Sequence, residues 1–559
     1  MDKRSQMARG LDLYLKSGLT RRELLRAAVA TGGVGALAPF TGALASSAAG
    51  RATVRTAKQD DNVEWAESPI QFVWVDYAEP TSLDPALVQD TSSFSFARNV
   101  YEPLVEIDPA KLELEPALAT EYTVAPDGKS YTFKLRPGIK FHGGNDFTAD
   151  DVKTTVERVQ AINQGPSFLI ANVTKVTVVD PLTVTMTTKE PDPFLPAHLV
   201  KIGIVSAKTV ATNTQGDDHA RAYFAENADG TGPYKMQSYE KGSQINLVKN
   251  PTWWRGWQPG SIDEIAFRWA GETSTRVQML ERGEADLIGW VPPAEAQRIG
   301  QSEGFTLVPW QTFDTDPAIY INTQRAPTDN VKFRQAITAA FNYQALIDYN
   351  QGFATTPAGP VPSDFPGGAQ DLQPFTQDLE RAKQLLTESG VDAAGTKLEF
   401  VVPSSFASFA FGATVLQESL KELGIEVNIQ EMPWAQMLEL YKSEDSSPHF
   451  TDFAQSPFGL DPIQFVGQFF ITGGQYNMAK YSNPDVDAMV AKAKVTLDEG
   501  ARNKVLSDVQ HKVVADAVNI WGCRPQTLDA VPNHVKGYVM DPTDYRWATK
   551  LYLLRIAKK

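Results

Sequence analysis

The sequence predicts an α/β fold built from more than one domain. Short runs rich in β-branched and aromatic residues, at 70–75 and 183–187, alternate with stretches of helical periodicity, at 150–159 and 379–388. This alternation is typical of layered α/β folds rather than of sandwiches or helical bundles. The chain has 559 residues, of which 42% are hydrophobic and 21% are charged, so it can bury several cores.

Residue types at the ends of the helical stretches support these assignments. Thr148 precedes the acidic residues Asp150 and Asp151, as expected of an N-cap followed by carboxylates in the first turn. The later helix is expected to end at Gly390, because glycine readily adopts the left-handed conformation that follows a helix. Local chemistry alone therefore predicts both boundaries.

The clearest alternation of strand and helix lies in the second half of the chain. Residues 397–402 form a predicted strand, residues 412–423 a helix that ends at Gly424, and residues 425–430 a second strand. Such a βαβ unit makes its two strands parallel. Ligands of open α/β sheets bind beyond the carboxyl ends of the strands, so the residues after position 402 are candidates for a binding site.

Charge and cysteine content exclude several classes of function. Asp and Glu number 67 against 52 Lys and Arg, giving a net charge of −15, which disfavours nucleic acid and anionic lipid as partners. Cys523 is the only cysteine, so no intramolecular disulfide can form. We expect Cys523 to be a small buried hydrophobic residue and assign no chemistry to it.

The first 45 residues have the features of an export signal. Arg21 and Arg22 precede a weakly apolar, glycine-rich run at 27–38, and small residues at Ala43 and Ala45 form a cleavage pattern. This resembles a twin-arginine signal, because its glycines make it less apolar than other export signals and unfavourable for the alternative, an amphipathic helix. We expect cleavage near Ala45, a flexible leader over 46–69, and a mature protein in the periplasm.

Sequence patterns for catalysis and for cofactor binding are missing. The six histidines are far apart without the spacing of a zinc site, and no Gly-x-Ser-x-Gly nucleophile motif occurs. Asp127-Gly128-Lys129-Ser130 has the ending of a phosphate-binding loop, but Thr123 occupies the position of its first glycine, so a hairpin turn is the better interpretation. We therefore predict no enzyme activity, no catalytic residue, no metal and no cofactor.

Several short motifs occur in a fixed order along the chain. They are Ser-Leu-Asp-Pro at 82–85, Tyr-Glu-Pro-Leu at 101–104, Pro-Ala-Leu-Ala at 116–119, Phe-His-Gly-Gly at 141–144, Phe-Thr-Ala-Asp-Asp-Val at 147–152, Gly-Thr-Gly-Pro-Tyr at 230–234, Gly-Glu-Ala-Asp-Leu at 283–287 and Tyr-Ser-Asn-Pro-Asp at 481–485. The series resembles the extracytoplasmic solute-binding proteins of family 5, the peptide, nickel and opine group that serves ABC importers. The resemblance extends over about residues 70–550.

The resemblance implies a two-lobed periplasmic binding protein fold of the large class, with an extra subdomain in domain I and the ligand cleft between the lobes. Domain I is expected to comprise 70–310 and 524–559, and domain II 311–523. Two chain crossings, at 310–320 and 519–525, are expected to form the hinge. The ligand would favour the closed form, which an inner-membrane ABC permease would then recognise. A monomer is expected.

The resemblance also bears on the ligand. In dipeptide-binding relatives, an aspartate in the loop before an Asp-Pro pair holds the ligand's α-ammonium, and an arginine after a domain II strand holds its carboxylate. Here the pair is Asp461-Pro462, and its spacing puts Phe458 at the position of the aspartate. The loop after residue 402 has no arginine. Both anchors are therefore expected to be missing, with Asp452 as the alternative acidic anchor.

Candidate ligand-binding residues lie in these two loops. They are Ser404, Ser405, Phe406, Ser456, Phe458, Leu460 and Asp461. Phe406 and Phe458 are equally compatible with a place in the core of the lobe. The Pro- and Gly-rich stretch at 354–371 is either a connector or a loop near the ligand.

Three functions are compatible with these patterns. The first is a binding protein for a peptide or peptide-like solute, which is the family's commonest task. The second is a binding protein for a neutral or hydroxylated solute, such as an oligosaccharide or an opine-type conjugate, which the missing anchors favour. The third, a secreted hydrolase, is disfavoured because it needs a nucleophile or a carboxylate pair that the sequence does not show.

Overall fold

The computed structural model describes residues 63–558 apart from residues 110, 290, 405–406, 434–435, 438–439, 441–446, 457–458 and 542–549. The predicted export signal at 1–45, and the predicted leader up to residue 62, lie outside the described residues. So do three of the predicted ligand-binding residues, Ser405, Phe406 and Phe458.

Strands and helices alternate along the described chain. In these ranges the strands are β1 Gln71–Asp76, β2 Val105–Asp108, β3 Glu113–Pro116, β4 Ala119–Val124, β5 Ser130–Leu135, β6 Val173–Asp180, β7 Thr183–Thr188, β8 Tyr234–Glu240, β9 Gln244–Lys249, β10 Glu264–Trp269, β11 Leu287–Ile288, β12 Phe305–Gln311, β13 Ala318–Ile321, β14 Ala354–Thr355, β15 Lys397–Pro403, β16 Glu426–Met432, β17 Phe450–Asp452, β18 Asn519–Trp521, β19 Arg524–Pro532, β20 Val535–Lys536 and β21 Arg555–Ile556. The α-helices are Thr91–Val100, Ala149–Ile162, Leu195–Leu199, Ala207–Asn213, Arg221–Phe224, Thr273–Glu281, Pro293–Gly300, Val331–Ala340, Tyr343–Tyr349, Leu379–Ser389, Ala407–Lys421, Ile463–Gly467, Pro484–Val495 and Glu499–Ala515. The predicted α/β class is confirmed.

Two predicted helix boundaries are confirmed in atomic detail. The Asp151 carboxylate accepts a hydrogen bond from the Thr148 backbone N–H at 2.7 Å and completes a capping box at the start of Ala149–Ile162. The helix Leu379–Ser389 ends at Gly390, whose φ of 71° is left-handed. Both helices therefore begin or end where the local residue types require.

The predicted βαβ unit is also present, with one helix boundary in a different place. Strands β15 and β16 are parallel, with Lys397 opposite Glu426. The connecting helix begins at Ala407 rather than at 412, so Gly412 lies inside it. Gly412 has a packing role there, because a Cβ atom at this position would lie 2.7 Å from the Pro317 ring.

The first half of the chain forms two main sheets. One has the strand order β11-β1-β10-β9-β8, in which β1 runs parallel to both β10 and β11. The other is antiparallel, with the order β4-β5-β7-β6, and its β4–β5 turn contains Gly128 at a φ of 67°. The motif at 127–130 is thus a hairpin turn, as predicted, and not a phosphate-binding loop.

The second half of the chain forms a mixed sheet of order β16-β15-β17-β13-β18. Strands β15, β16 and β17 are parallel to one another, and β13 is antiparallel to both of its neighbours. Helices cover both faces, with Ile319, Ile520 and Phe400 in the core on one side and Tyr320 and Trp521 in the core on the other. The carboxyl ends of the parallel strands thus share one edge of this sheet.

Two chain segments run side by side from this sheet to the first half of the molecule. Strand β12 pairs antiparallel with β19, and the next pair along is β13 with β18. Between the pairs, Asp316 N–H donates to Cys523 O at 2.9 Å and Gly522 N–H donates to Pro317 O at 3.0 Å. These segments coincide with the crossings predicted at 310–320 and 519–525; the domain limits stay a prediction.

None of the helices in the described part of the chain combines the length and the apolar character needed to cross a bilayer.

Close packing at the crossings predicts that a small substitution there is destabilising. A Cβ atom on Gly522 would lie 2.6 Å from Pro317 O and 2.7 Å from Leu346 Cδ1, so Gly522→Ala should reduce stability by about 1–3 kcal/mol. Calorimetric melting of the purified protein measures this. The control is Gly271→Ala, because a Cβ atom on Gly271 meets nothing within 4 Å. Equal melting temperatures for the two variants would contradict the described crossing.

Candidate ligand-binding site

The two loops that the sequence singled out leave the same edge of the mixed sheet. Strand β15 lies beside β17 in parallel register, with Phe400 opposite Phe450 and Val401 opposite Thr451. Residues 404–406 follow β15, and residues 453–461 follow β17. Because parallel strands end at a common edge, the two loops begin next to each other.

Two of the predicted site residues lie at the start and middle of these loops. The Ser404 side chain is exposed, and its backbone N–H donates to Met432 O at 2.9 Å. Ser456 is half-buried and follows Gln455, which forms a β-bridge with Thr315. Both residues therefore lie near the edge of the sheet formed by the carboxyl ends of β15 and β17. Backbone hydrogen bonds hold Ser404 and the neighbour of Ser456, and the Ser404 side chain is accessible to solvent.

The other two described site residues are buried. Leu460 is in the same hydrophobic cluster as Phe194 and Ala197. The Asp461 carboxylate accepts hydrogen bonds from Ile463 N at 2.8 Å and from Gln464 Nε2 at 3.0 Å, and its Oδ2 lies 3.1 Å from His198 Nε2. These contacts occupy both oxygens of Asp461 and fix the entry to the helix Ile463–Gly467.

The environment of His198 favours its charged form. Burial opposes protonation of the ring, but the Asp461 carboxylate at 3.1 Å outweighs that penalty and raises the pKa of His198 above its ordinary value. This contact was not predictable from the sequence, because the two residues are 263 positions apart. No local pattern could have revealed it.

Asp452, the alternative acidic anchor, has a different environment from the loop residues. It lies within β17 opposite Ile319 and is fully buried. Its carboxylate accepts a hydrogen bond from Ala318 N at 3.1 Å, and burial together with the charge of Asp316 raises its pKa well above the ordinary value. Asp452 is therefore a structural acid of the sheet, in surroundings that disfavour its charged form.

Polar side chains also lie in a row across the buried face of the mixed sheet. Tyr320 on β13 is directly opposite both Thr451 on β17 and Asn519 on β18, so all three project from one face. Phe469 stacks on Tyr320 with ring centroids 6.1 Å apart. This row lies just inside the edge from which the two loops leave, and sequence analysis did not identify it.

Buried groups also lie at the carboxyl end of β1, in the sheet of order β11-β1-β10-β9-β8. The Asp76 carboxylate accepts hydrogen bonds from Ser92 Oγ and from Tyr77 N, each at 2.8 Å. Burial raises the pKa of Asp76 to about 6. These hydrogen bonds connect the end of β1 to the first turn of the helix Thr91–Val100. Sequence analysis did not identify them.

The Pro- and Gly-rich stretch forms one wall of a cavity of about 630 Å³. Lys111 and Leu112, which lie between β2 and β3, also line this cavity. The cavity is lined by Lys111, Leu112, residues 363–371, Asn503 and Ser507. None of the described candidate residues of the two loops lines this cavity, so both interpretations of the stretch, as a connector or as a loop near the ligand, stay predictions.

Side-chain contacts hold the wall in one conformation. Gln510, fully buried, accepts a hydrogen bond from Ala369 N at 3.1 Å and donates one to Gly367 O at 2.8 Å. Asp364 accepts two hydrogen bonds from the Arg524 guanidinium, at 2.8 and 3.2 Å. Since Arg524 is the first residue of β19, the loop is connected directly to one of the crossing segments.

A mixed sheet in each half of the chain, together with two neighbouring crossings between the halves, defines the class of this molecule as a two-lobed periplasmic binding protein. The chain belongs to the bacterial extracellular solute-binding proteins, family 5: the middle-region profile of that family matches residues 113–477. The resemblance seen in the motifs is thereby confirmed. The protein is the solute-binding component of an ABC import system, and members of its family are binding proteins.

Similar proteins cover most of the chain. A probable D,D-dipeptide-binding periplasmic protein of Escherichia coli is 27% identical over 477 residues, covering 83% of this chain and 90% of that protein. A glutathione-binding protein of Salmonella paratyphi A is 30% identical over 448 residues, covering 77% and 84%. A dipeptide-binding protein from Pseudoalteromonas, solved in complex with Met-Leu, has a TM-score of 0.71 at 21% identity, covering 87% and 100%.

The contacts of Gln510 predict that this side chain contributes to the rigidity of the cavity wall. Gln510→Leu removes both loop hydrogen bonds, so the amides of residues 364–370 should exchange with solvent several-fold faster. Hydrogen exchange with mass spectrometry measures the rates. Gln373→Leu is the matched control, because the exposed Gln373 amide donates only to Asp371 O. Unchanged exchange in Gln510→Leu would show that other contacts fix the wall.

Proposed function

We propose that this protein captures a peptide or peptide-like solute in the periplasm by hinge closure and delivers it to an inner-membrane ABC permease. The observation that carries the proposal is the common edge of β15 and β17, where the two candidate loops begin beside the chain crossings. The relatives that bind a dipeptide and glutathione support the solute class. No covalent bond is made or broken, so the protein is not an enzyme.

The proposed lobes are domain I, 70–310 with 524–559, and domain II, 311–523. The pairing of β12 with β19 and of β13 with β18 supports this division, because both crossings lie side by side. Neighbouring crossings allow one lobe to rotate about the other with small changes in backbone angles. Solute that contacts both lobes would favour the closed form by its additional contacts there.

The proposed ligand contacts are made by the two loops. Ser404, Ser405 and Phe406 after β15, and Ser456 and Phe458 after β17, would line the cleft, and the buried Leu460 and Asp461 would hold the second loop in place. Hydroxyl groups and aromatic rings suit the amide groups and apolar side chains of a peptide. They suit a hydroxylated solute equally, which keeps the oligosaccharide or opine-type conjugate as the second candidate.

The remaining parts of the proposal concern export and assembly. The protein would leave the cytoplasm by the twin-arginine route, with the signal removed near Ala45 and a flexible leader over 46–69. The net charge of −15 supports the absence of nucleic acid partners. A monomer would present both lobes to the permease.

Ligand charge tests the proposed solute class. Phe458 stands at the position expected for the acid, Asp461 is held by His198, and Asp452 is buried inside the sheet, so a free ammonium in the cleft would lack these partners. N-acetyl-Met-Leu-amide should therefore bind at least about tenfold more tightly than Met-Leu in calorimetry. Saturation should also reduce the radius of gyration in solution scattering.

The opposite result is equally clear. Micromolar binding of unmodified Met-Leu that is abolished by Asp452→Ala or Asp461→Ala would identify an acidic anchor and a plain dipeptide as the solute. If neither peptide binds and an oligosaccharide does, the solute belongs to the second candidate class and not to the peptides. Bound ligand with unchanged scattering would contradict hinge closure.

Truncation of one aromatic side chain tests the loop assignment. Phe458→Ala should weaken binding of N-acetyl-Met-Leu-amide by about 1 kcal/mol or more, with little change in melting temperature. Val179→Ala is the control, because the Val179 side chain is 59% exposed on strand β6, outside both loops. A lower melting temperature with unchanged affinity would instead assign Phe458 to the core of the lobe.

A further inference from the structure

A buried ion pair joins the two proposed lobes. His198, in the helix Leu195–Leu199 of domain I, contacts Asp461 of domain II, with 3.1 Å between Nε2 and Oδ2. Only 11% of the His198 side chain and 3% of the Asp461 side chain are exposed. Removal of one partner from a pair this deeply buried leaves the other without solvent or a counter-charge, which costs far more than the loss of an exposed pair.

The surroundings of the pair are apolar and come from both lobes. Phe194 and Ala197 of domain I lie in one hydrophobic cluster with Leu460 of domain II. The Arg502 guanidinium of domain II lies 5.0 Å from the centroid of the Phe194 ring. Hinge opening of the proposed kind would expose this contact to water, so the pair belongs to the closed form.

Asp461 also connects this contact to the proposed ligand loop. The same carboxylate that contacts His198 accepts hydrogen bonds from Ile463 N and Gln464 Nε2, immediately after the loop at 453–461. The loop thus ends at a residue whose position is fixed from the opposite lobe. Ser456 and Phe458 lie only a few residues before that point.

We infer that His198 is a positioning residue for solute capture: in its protonated form it holds Asp461 across the lobe boundary, fixes the end of the candidate loop at 459–461 and couples closure to pH. This inference rests on the proposed function, because it needs the domain division and the ligand loop given there. His198 itself is not expected to touch the solute.

The charged groups around the imidazole determine the sign of the pH effect. Asp461 faces it directly, Asp192 adds a second negative charge from the preceding loop, and Arg502 faces Asp461 from the helix Glu499–Ala515. The Leu169 carbonyl also favours the protonated ring. Asp461, Asp192 and the Leu169 carbonyl raise the pKa of His198 in the closed form, whereas the solvated ring of an open form would titrate near the ordinary value of about 6.5.

Closure of the two lobes is therefore accompanied by uptake of a proton on His198. The contribution of the pair to closure is fully present below the pKa of His198 in the open form, and it is lost as pH rises through the higher pKa of the closed form. Mild acid should favour the closed form and solute capture, and alkaline pH should favour release.

Hydrogen exchange of the full-length mature protein without solute tests the inference. After correction for intrinsic rates, protection of amides 456–464 in the wild type should fall by about fivefold or more between pH 5.5 and pH 8.5. His198→Gln keeps a hydrogen-bond donor without a titratable charge, so the protection of amides 456–464 in this variant should not depend on pH. His198→Ala should lack protection at every pH.

Two further variants distinguish the effect of the His198–Asp461 pair from general effects of pH on hydrogen exchange. Asp461→Asn keeps the shape of the side chain but removes its charge, so the pH dependence should disappear. His511→Gln is the matched control, because His511 forms an exposed pair with Asp371 at 3.2 Å; this variant should keep the wild-type profile. Wild-type pH dependence in His198→Gln, or a flat wild-type profile, would overturn the inference.

Calorimetry distinguishes this inference from the proposed function. Wild-type affinity for N-acetyl-Met-Leu-amide should fall several-fold from pH 5.5 to pH 8.5, and His198→Gln should remove the trend. Binding that is independent of pH in the wild type would overturn the coupling and leave the peptide function intact. If neither N-acetyl-Met-Leu-amide nor Met-Leu binds at any pH, the peptide class fails, and the exchange data still decide the role of His198.

Discussion

Backbone hydrogen bonds between the two chain crossings are the constraint on which the rest of the structure depends. Asp316 bonds to Cys523 and Gly522 bonds to Pro317, so the segments that enter and leave the mixed sheet run as one narrow connection. Pro317 also packs against Gly412, which ties the connection to the βαβ unit. Because both crossings end at the carboxyl edge of β17, the candidate loops lie next to the connection.

Local chemistry made part of this architecture predictable from the sequence. Thr148 with Asp151, and Gly390, satisfy backbone groups that every helix end exposes, so the boundaries could be found without tertiary information. The parallel pairing of β15 with β16 followed from the length of the connection between them. The motifs then indicated the family, although most of them serve turns and helix ends rather than contacts with a solute.

Long-range contacts were not predictable in the same way. The His198–Asp461 pair joins residues whose neighbours in sequence give no sign of one another, and the burial of Asp452 depends on the register of a three-residue strand. The start of the helix at Ala407 was missed because Gly412 was interpreted as a boundary when it is a packing position. The proximity of the candidate loops was predictable only in outline, since strand order within a sheet is a property of the whole fold.

The position of Cys523 has a consequence for chemistry outside the cell membrane. Its thiol is buried between the crossings, with Sγ 3.0 Å from Asp316 O and 3.5 Å from Asn350 Nδ2. An unpaired cysteine on the surface of an exported protein is prone to form mixed disulfides with other chains. Burial keeps this thiol away from oxidants and from thiol-exchange enzymes, so the folded chain can remain reduced and unlinked in an oxidising compartment.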